Sequence, residues 1–388
     1  MMQKTTTKAP TKRFRRKKTP AVITTSPQPD ALSETPHPPR PPRPPRDTSV
    51  PDTIFCTVSY RALYEYQYPP DGLCTHLVYS ELVIHDGVIK SRLEPLGVGL
   101  SSFMSHANKA QKTRHGASFS YDYADDTASA MRGSSSPITS TLWSSNVRDY
   151  GILLAYDKTS HLQDASNKRL ALLKALRSEQ QKQTPTDPTP DLFVGVLSRD
   201  HGATRKMTIL RDVANHYQIT ILIFITHFFM DDEKGPQPPT ALSGTGKPVK
   251  LSGISADLSS AGIKKDVTLL TSFTLAVNKY RMQNGWSGGN TGDVVSFAPI
   301  RYYDACYLKN HMVKVSRDYA YIAIKDRHVL LTYDTSENLI YKMSEVFTTY
   351  AHPKHGVAIY DVDYDQYNDT CGTPDFYRLR QLSRYMLM

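Results

Sequence analysis

The stretch Gly356-Val357-Ala358-Ile359-Tyr360-Asp361-Val362-Asp363-Tyr364-Asp365 runs from small and apolar residues into an acidic, aromatic end. An apolar run of this length reads as a strand buried on both faces, and the polar cluster after it marks where such a strand opens into a loop. Just before it, Leu339, Met343, Val346/Phe347 and Tyr350 recur at helical spacing, with Asp334 and Glu337 placed like a capping box. Upstream again, Leu331-Thr332-Tyr333 is apolar. The C-terminal part therefore reads as a helix feeding a buried parallel strand.

The same texture extends back to residue 53. Candidate strands are Thr53–Ser59, Thr75–Ile84, Gly116–Tyr121, Asp191–Ser198, Ile219–His227, Val267–Phe273, Val294–Ile300 and Gly356–Asp361. Helical spacing appears at Leu170, Leu173 and Leu176 or Arg177 after the possible cap Ser166, with Pro185 as a stop, and at Met207, Leu210, Val213/Ala214 and Tyr217. Strand and helix alternating in this way point to an α/β fold, a (β/α)8 TIM barrel over residues 53–380, with a doubly wound sheet as the alternative. Residues 122–160, rich in Ser, Thr, Asp and Gly before the apolar piece Tyr150–Tyr156, read as an elaborated loop, with a helix or strand of its own as the alternative. Residues 232–248 and 281–293 read as loops on their Pro and Gly content.

Residues 1–52 are different. They hold twelve of the 26 prolines, including Pro38-Pro39-Arg40-Pro41-Pro42-Arg43-Pro44-Pro45-Arg46. Such a segment has little to bury and reads as a disordered, basic, Pro-rich tail or stalk. It carries +7 of the chain's formal +10, so the remainder is close to neutral and nucleic-acid binding by the barrel is not expected. The cluster Lys12–Lys18 fits a membrane-proximal anchor, a nuclear address or a solvated charge run. No apolar stretch follows it as in a signal peptide, and Ile219–Met230, interrupted by Thr220, Thr226 and His227, is too short and polar to span a bilayer.

Four cysteines, Cys56, Cys74, Cys306 and Cys371, lack C-x-x-C spacing, so they fit either two disulfides or four buried thiols. No cofactor is expected. Neither His201 nor His227 has a His or Cys at ligand spacing, so no metal is expected either.

Both ends of the globular part resemble glycoside hydrolase family 18, the chitinases and chitinase-like lectins. Phe55-Cys56, Tyr60 and Leu73-Cys74-Thr75-His76-Leu77-Val78-Tyr79 are similar to that family's first two strands and its "CTHxxY" phrase. The run from Gly356 to Asp365, closing on Cys371, is similar to its eighth strand, "G-[GV]-x-x-W-x-x-D-x-D-D". The resemblance implies a TIM barrel, Cys56 paired with Cys74, and Cys306 paired with Cys371. It further implies an extracellular or secreted protein whose start lies upstream, and makes Asn368-Asp369-Thr370 a candidate glycosylation sequon.

The family's catalytic D-x-x-D-x-D-x-E closes the fourth strand. Its Glu protonates the leaving oxygen, the neighbouring Asp assists, and the substrate's acetamide is the nucleophile. With Asp191–His201 as the fourth strand and Gly195 matched to the family glycine, Val194, Leu197, Arg199 and His201 occupy the acid positions. A one-residue slip brings Asp200 to the Glu position with Val196 and Ser198 as companions, and Ile219–His227 offers no carboxylate. The sixth-strand "M-x-Y-D", expected near Leu269–Thr274, has no Asp, and Tyr360 replaces the Trp that floors the central sugar subsite. The chain therefore reads as a pseudoenzyme that binds a chitooligosaccharide-like glycan or a protein partner. Tyr60, Tyr121, Asp200, His201, Tyr303 and Tyr360 are its candidate cleft residues. An active glycosidase with a displaced acid, and an interaction protein working through its Pro-rich tail, are the competing readings.

Overall fold

The computed structural model describes residues 53–94, 97–156, 162–197, 211–215, 217–227, 235–240, 251, 262–286, 293–306, 308, 312–315, 320–324, 328–349, 352–367 and 371–387. Eight parallel strands close into a barrel. In chain order the strands are β1 (Ile54–Val58), β2 (His76–His85), β3 (Val88–Ser91), β4 (Arg114–Phe119), β5 (Val147–Tyr156), β6 (Leu192–Leu197), β7 (Ile221–Phe224) and β8 (Thr268–Thr274). After them come β9 (Val277–Met282), β10 (Val294–Ile300), β11 (Met312–Val315), β12 (Ala320–Ile324), β13 (Val329–Tyr333) and β14 (His355–Tyr360). The ring runs β1-β14-β8-β7-β6-β5-β4-β2 and closes through β1–β2, with Cys56 opposite Leu77 and Phe55 opposite Ala358. β3 adds only an antiparallel hairpin to β2.

Period-two alternation divides the buried side chains between two cores. Phe55, Val78, Leu153, Phe193, Ile223, Leu270, Ala358 and Tyr360 fill the barrel interior. Ile54, Cys56, Leu77, Tyr79, Val194 and Ile359 point outward into the layer shared with the helices. Three of those helices, α1 (Val98–Lys109), α2 (Ala124–Gly133) and α3 (Ser140–Ser144), precede β5, and α4 (Leu162–Gln181) follows it. Between β8 and β14 the chain inserts a five-stranded antiparallel sheet, ordered β10-β9-β13-β12-β11, with α5 (Tyr302–Cys306) between β10 and β11, followed by α6 (Ser336–Thr349). The chain ends in α7 (Tyr377–Leu387).

Three expectations are corrected here. Residues 122–160 carry regular structure, the alternative rather than the loop: they supply α2, α3 and the fourth barrel strand, β5. Asp191–Ser198 is therefore the fifth strand, Ile219–His227 the sixth and Val267–Phe273 the seventh. Val294–Ile300 lies outside the barrel, as the edge strand β10 of the inserted sheet, with Val295 57% exposed. The cap of α6 is also shifted by one residue. Thr335 Oγ1 accepts from the Asn338 N–H at 3.2 Å and Asn338 Oδ1 accepts from the Thr335 N–H at 3.2 Å. Asp334 instead accepts from Lys342 Nζ at 2.7 Å, both side chains fully buried.

Cys56 is bonded to Cys74 and Cys306 to Cys371, as the resemblance implies, and no cysteine is left free. The first ties β1 to the chain entering β2. The second fastens the inserted segment to the chain beyond β14. No described helix is long and apolar enough to cross a membrane.

Candidate functional site

At the C-terminal ends of β1, β2, β4, β5 and β14 the strands open around a cavity of about 200 Å³. Its wall is rich in hydroxyls, with Thr57, Ser59, Ser80, Ser118 and Ser120 beside the rings of Tyr60, Tyr121 and Tyr360. Leu93, Phe119, Leu153 and Leu154 give it apolar surface, and Glu81 and Asp361 are its acids. This is the face on which barrels of this kind place their sites, because side chains from many strand ends converge there.

The floor is set by a bulge. The β5–β6 register slips between Ile152 and Ala155, which turns the Leu153 peptide out of the ladder. Both of its polar groups are then met by side chains from other strands. The Leu153 N–H donates to Ser118 Oγ at 2.9 Å, and its carbonyl accepts from the Tyr360 hydroxyl at 2.8 Å. Gly195 on β6 makes room for this: a Cβ there would stand 2.0 Å from the Leu153 carbonyl oxygen and 3.1 Å from the Tyr360 hydroxyl. Below Tyr360 the His227 ring packs at 4.3 Å, and its Nδ1 is 2.7 Å from Ser272 Oγ. Full burial pushes that imidazole down to about 3, so it is neutral and structural.

The rim is braced by β1 and the chain after β14. Asp363 accepts from the Ser59 N–H at 3.0 Å and from its hydroxyl at 2.6 Å. Arg61 donates to the hydroxyls of Tyr60 at 3.3 Å and Tyr364 at 2.7 Å. Two acids on the wall have left-handed backbone, Glu81 at φ 62° and Asp361 at φ 58°, a conformation uncommon away from glycine. Arg92 answers Glu81 at 3.1 Å. Thr274 Oγ1 donates to Asp361 Oδ2 at 2.7 Å, and burial, with Asp363 nearby, pushes the Asp361 carboxyl up to about 6.

Tyr60, Tyr121 and Tyr360 meet in this cavity. Tyr303 does not line it: it sits in α5 and packs edge-on against Tyr367 at 5.5 Å. Val194 and Leu197 are buried on the fifth strand. Arg199, Asp200 and His201, like the sequon at 368–370, lie outside the described residues. Leu153, Ser118, Glu81 and Asp361 were not among the sequence candidates. Leu153 carried no signal of its own because its role depends on a register shift in β5, whereas Asp361 was visible as an acid directly after Tyr360.

One other cluster has ligand character. His76, Asp149 and Asp191, at the opposite, N-terminal end of the barrel, bring a ligand atom each within 4.8 Å of one another. Arg114 already bridges the two carboxylates, at 2.6 Å to Asp149 and 3.0 Å to Asp191, and His76 Nε2 stands 3.1 Å from Asp191. The guanidinium supplies the charge that a cation would, and that end of a barrel serves stability.

No family model and no curated protein matches the chain. Solved structures do. Human YKL-39, described as a pseudo-chitinase with retained chitooligosaccharide binding, superposes with a TM-score of 0.64 at 14% identity, over 87% of this chain and 100% of that one. A group IV chitinase from Ostrinia furnacalis gives 0.64 at 15% identity over 87% and 100%, and a class V chitinase from Nicotiana tobaccum gives 0.64 at 11% over 87% and 99%. The chain thus has the barrel fold of the chitinases and chitinase-like proteins of glycoside hydrolase family 18.

Proposed function

We propose that this protein is a divergent, catalytically silent member of glycoside hydrolase family 18 that holds a chitin-type glycan at the barrel mouth. The reading rests on the strand that now stands fourth. Matching Gly151 of β5 to the family glycine brings Tyr150, Leu153 and Ala155 to the three aspartate positions and Asp157 to the glutamate position. This revises the sequence reading, which read the motif from the fifth strand and reached an acid at the last position, Asp200, only by a one-residue slip.

Asp157, outside the described residues, is one methylene shorter than glutamate and has lost every acidic companion. Substrate-assisted cleavage needs two carboxyls: one protonates the leaving oxygen, the other orients and polarises the acetamide that attacks. A leucine cannot polarise an amide. The observation that carries the reading is the Leu153 bulge, whose carbonyl is capped by Tyr360 and whose side chain is 4% exposed. The Tyr60 and Tyr121 rings remain to stack on sugar above the buried Tyr360.

Two disulfides suit an oxidising compartment, and we read the protein as extracellular. A second reading, recognition of a protein, is favoured by Tyr64 and Tyr66 beside the mouth, 56% and 58% exposed and stacked at 5.5 Å. Calorimetric titration with the tetramer of N-acetylglucosamine separates the two. Saturable binding that Tyr60→Ala weakens supports the glycan site, whereas flat titrations across a glycan array leave protein recognition.

A further inference from the structure

The charges on the mouth are unequal in a way that selects for a ligand. Among its described lining residues there is no Lys or Arg, and the acids are Glu81 and Asp361. Glu81 is neutralised by Arg92, which also reaches Asp122 at 2.8 Å. Asp361 has no such partner. Thr274 holds its Oδ2 at 2.7 Å, and its own N–H donates to Thr57 Oγ1 at 3.2 Å. Among the described residues no cationic nitrogen forms an ion pair with it, and Oδ1 has no hydrogen-bond donor. Arg61 acts on it only through space, its guanidinium being turned to the hydroxyls of Tyr60 and Tyr364. The neighbouring Asp363 is spent on Ser59. A carboxyl with one oxygen anchored by Thr274 and one without a donor, on the wall of a largely apolar cavity, is a counter-charge without its cation.

We propose that Asp361 Oδ1 receives the ammonium group of an unacetylated amino sugar, so that the mouth prefers glucosamine units of a partly deacetylated chitooligosaccharide over N-acetylated ones. The inference rests on the reading of the mouth as a glycan site. A cavity with mostly apolar walls and one unmatched negative charge, partly shielded from water, attracts a compact cation strongly, because little nearby polar surface screens the attraction. The groups facing Asp361 set its pH response. Burial and Asp363 raise its carboxyl to about 6, while Thr274 and Arg61 pull the other way. Below that value it is neutral and the attraction fades. A sugar amine keeps its proton up to roughly 8, as an α-amino group does. The preference is therefore greatest between the two.

The test is calorimetric titration of the full chain with the glucosamine tetramer and the N-acetylglucosamine tetramer, at pH 5 and pH 7 in 0.15 M salt, for the wild type and Asp361→Asn. Asparagine accepts left-handed backbone, so the substitution keeps the local geometry. The expected result is amine-tetramer affinity about tenfold higher at pH 7 than at pH 5, and about tenfold lower in Asp361→Asn at pH 7, a loss that exceeds any change in acetylated-tetramer affinity. Unchanged amine-tetramer affinity in Asp361→Asn, with the acetylated tetramer still bound, overturns the assignment of Asp361 alone. Binding of neither tetramer by the wild type overturns the glycan reading with it.

Discussion

The Tyr360 hydroxyl crosses the barrel to donate a 2.8 Å hydrogen bond to the Leu153 carbonyl, joining the eighth strand to a bulge in the fourth. The bond meets the carbonyl that the bulge turns out of the ladder, at the floor of the barrel mouth. Removing it leaves a buried carbonyl unmet. Tyr360→Phe should lower stability by about 1–2 kcal/mol in urea unfolding while the fold is kept. A loss indistinguishable from zero would mean that the bond is incidental.

Gly195 tests the same packing from the other side. Its Cβ would have to occupy space 2.0 Å from the Leu153 carbonyl oxygen, which is backbone and cannot swing away. Gly195→Ala is expected to cost about 2–3 kcal/mol by overpacking, with a matching fall in thermal midpoint.

Lys342 and Asp334 form a fully buried pair, and Lys342 Nζ also donates to the Thr240 carbonyl at 2.6 Å. Truncating one partner strands the other charge. Lys342→Ala should destabilise by about 3–5 kcal/mol, whereas removing both charges in Lys342→Met with Asp334→Leu should recover much of that loss. Equal losses in the single and double variants would contradict this.

Acid should unfold the protein through its buried histidines. Burial holds His227 and His355 down to about 3 and His115 to about 4. Unfolded histidines take up protons near 6.5, so the stability from these neutral rings is fully present above that pH and drains as pH falls toward 3. His355, edge-on to Phe347 at 4.7 Å, is the convenient probe. His355→Phe should reduce the slope of unfolding free energy between pH 6 and 4 by about 1.4 kcal/mol per pH unit, one proton's worth. Asp361 works in the opposite sense: its raised carboxyl favours folding at low pH and costs stability as pH rises through about 6.

The sequence showed most of the barrel where a strand is an unbroken apolar run. β6 and β14 are such runs, so the last strand could be placed, while the two disulfide pairings came from the family resemblance at both ends of the barrel. β5 was hidden for a physical reason. Arg148 and Asp149 interrupt its start, Arg148 because it lies over the Trp143 ring at 5.7 Å and Asp149 because it belongs to the ionic cluster with Arg114 and Asp191, and Gly151 yields to Phe193, whose carbonyl a Cβ would meet at 2.0 Å. β10 misled in the reverse direction: Val294-Val295-Ser296-Phe297 has strand chemistry but forms the edge of the inserted sheet. The two errors cancelled in the strand count and moved the expected catalytic strand by one. Of the site, the tyrosines could be seen from composition, but Leu153 could not. Its role depends on a register shift that no local pattern encodes.

The most direct measurement follows a chromogenic chitotrioside and the N-acetylglucosamine tetramer with the purified protein at saturating concentration. Mass spectrometry would detect cleaved products, and a parallel titration would report occupancy. Occupancy of the mouth with both sugars intact is the predicted result. Product release that disappears in Asp157→Asn would contradict the account, showing that one acid on the fourth strand cuts the bond without its companions.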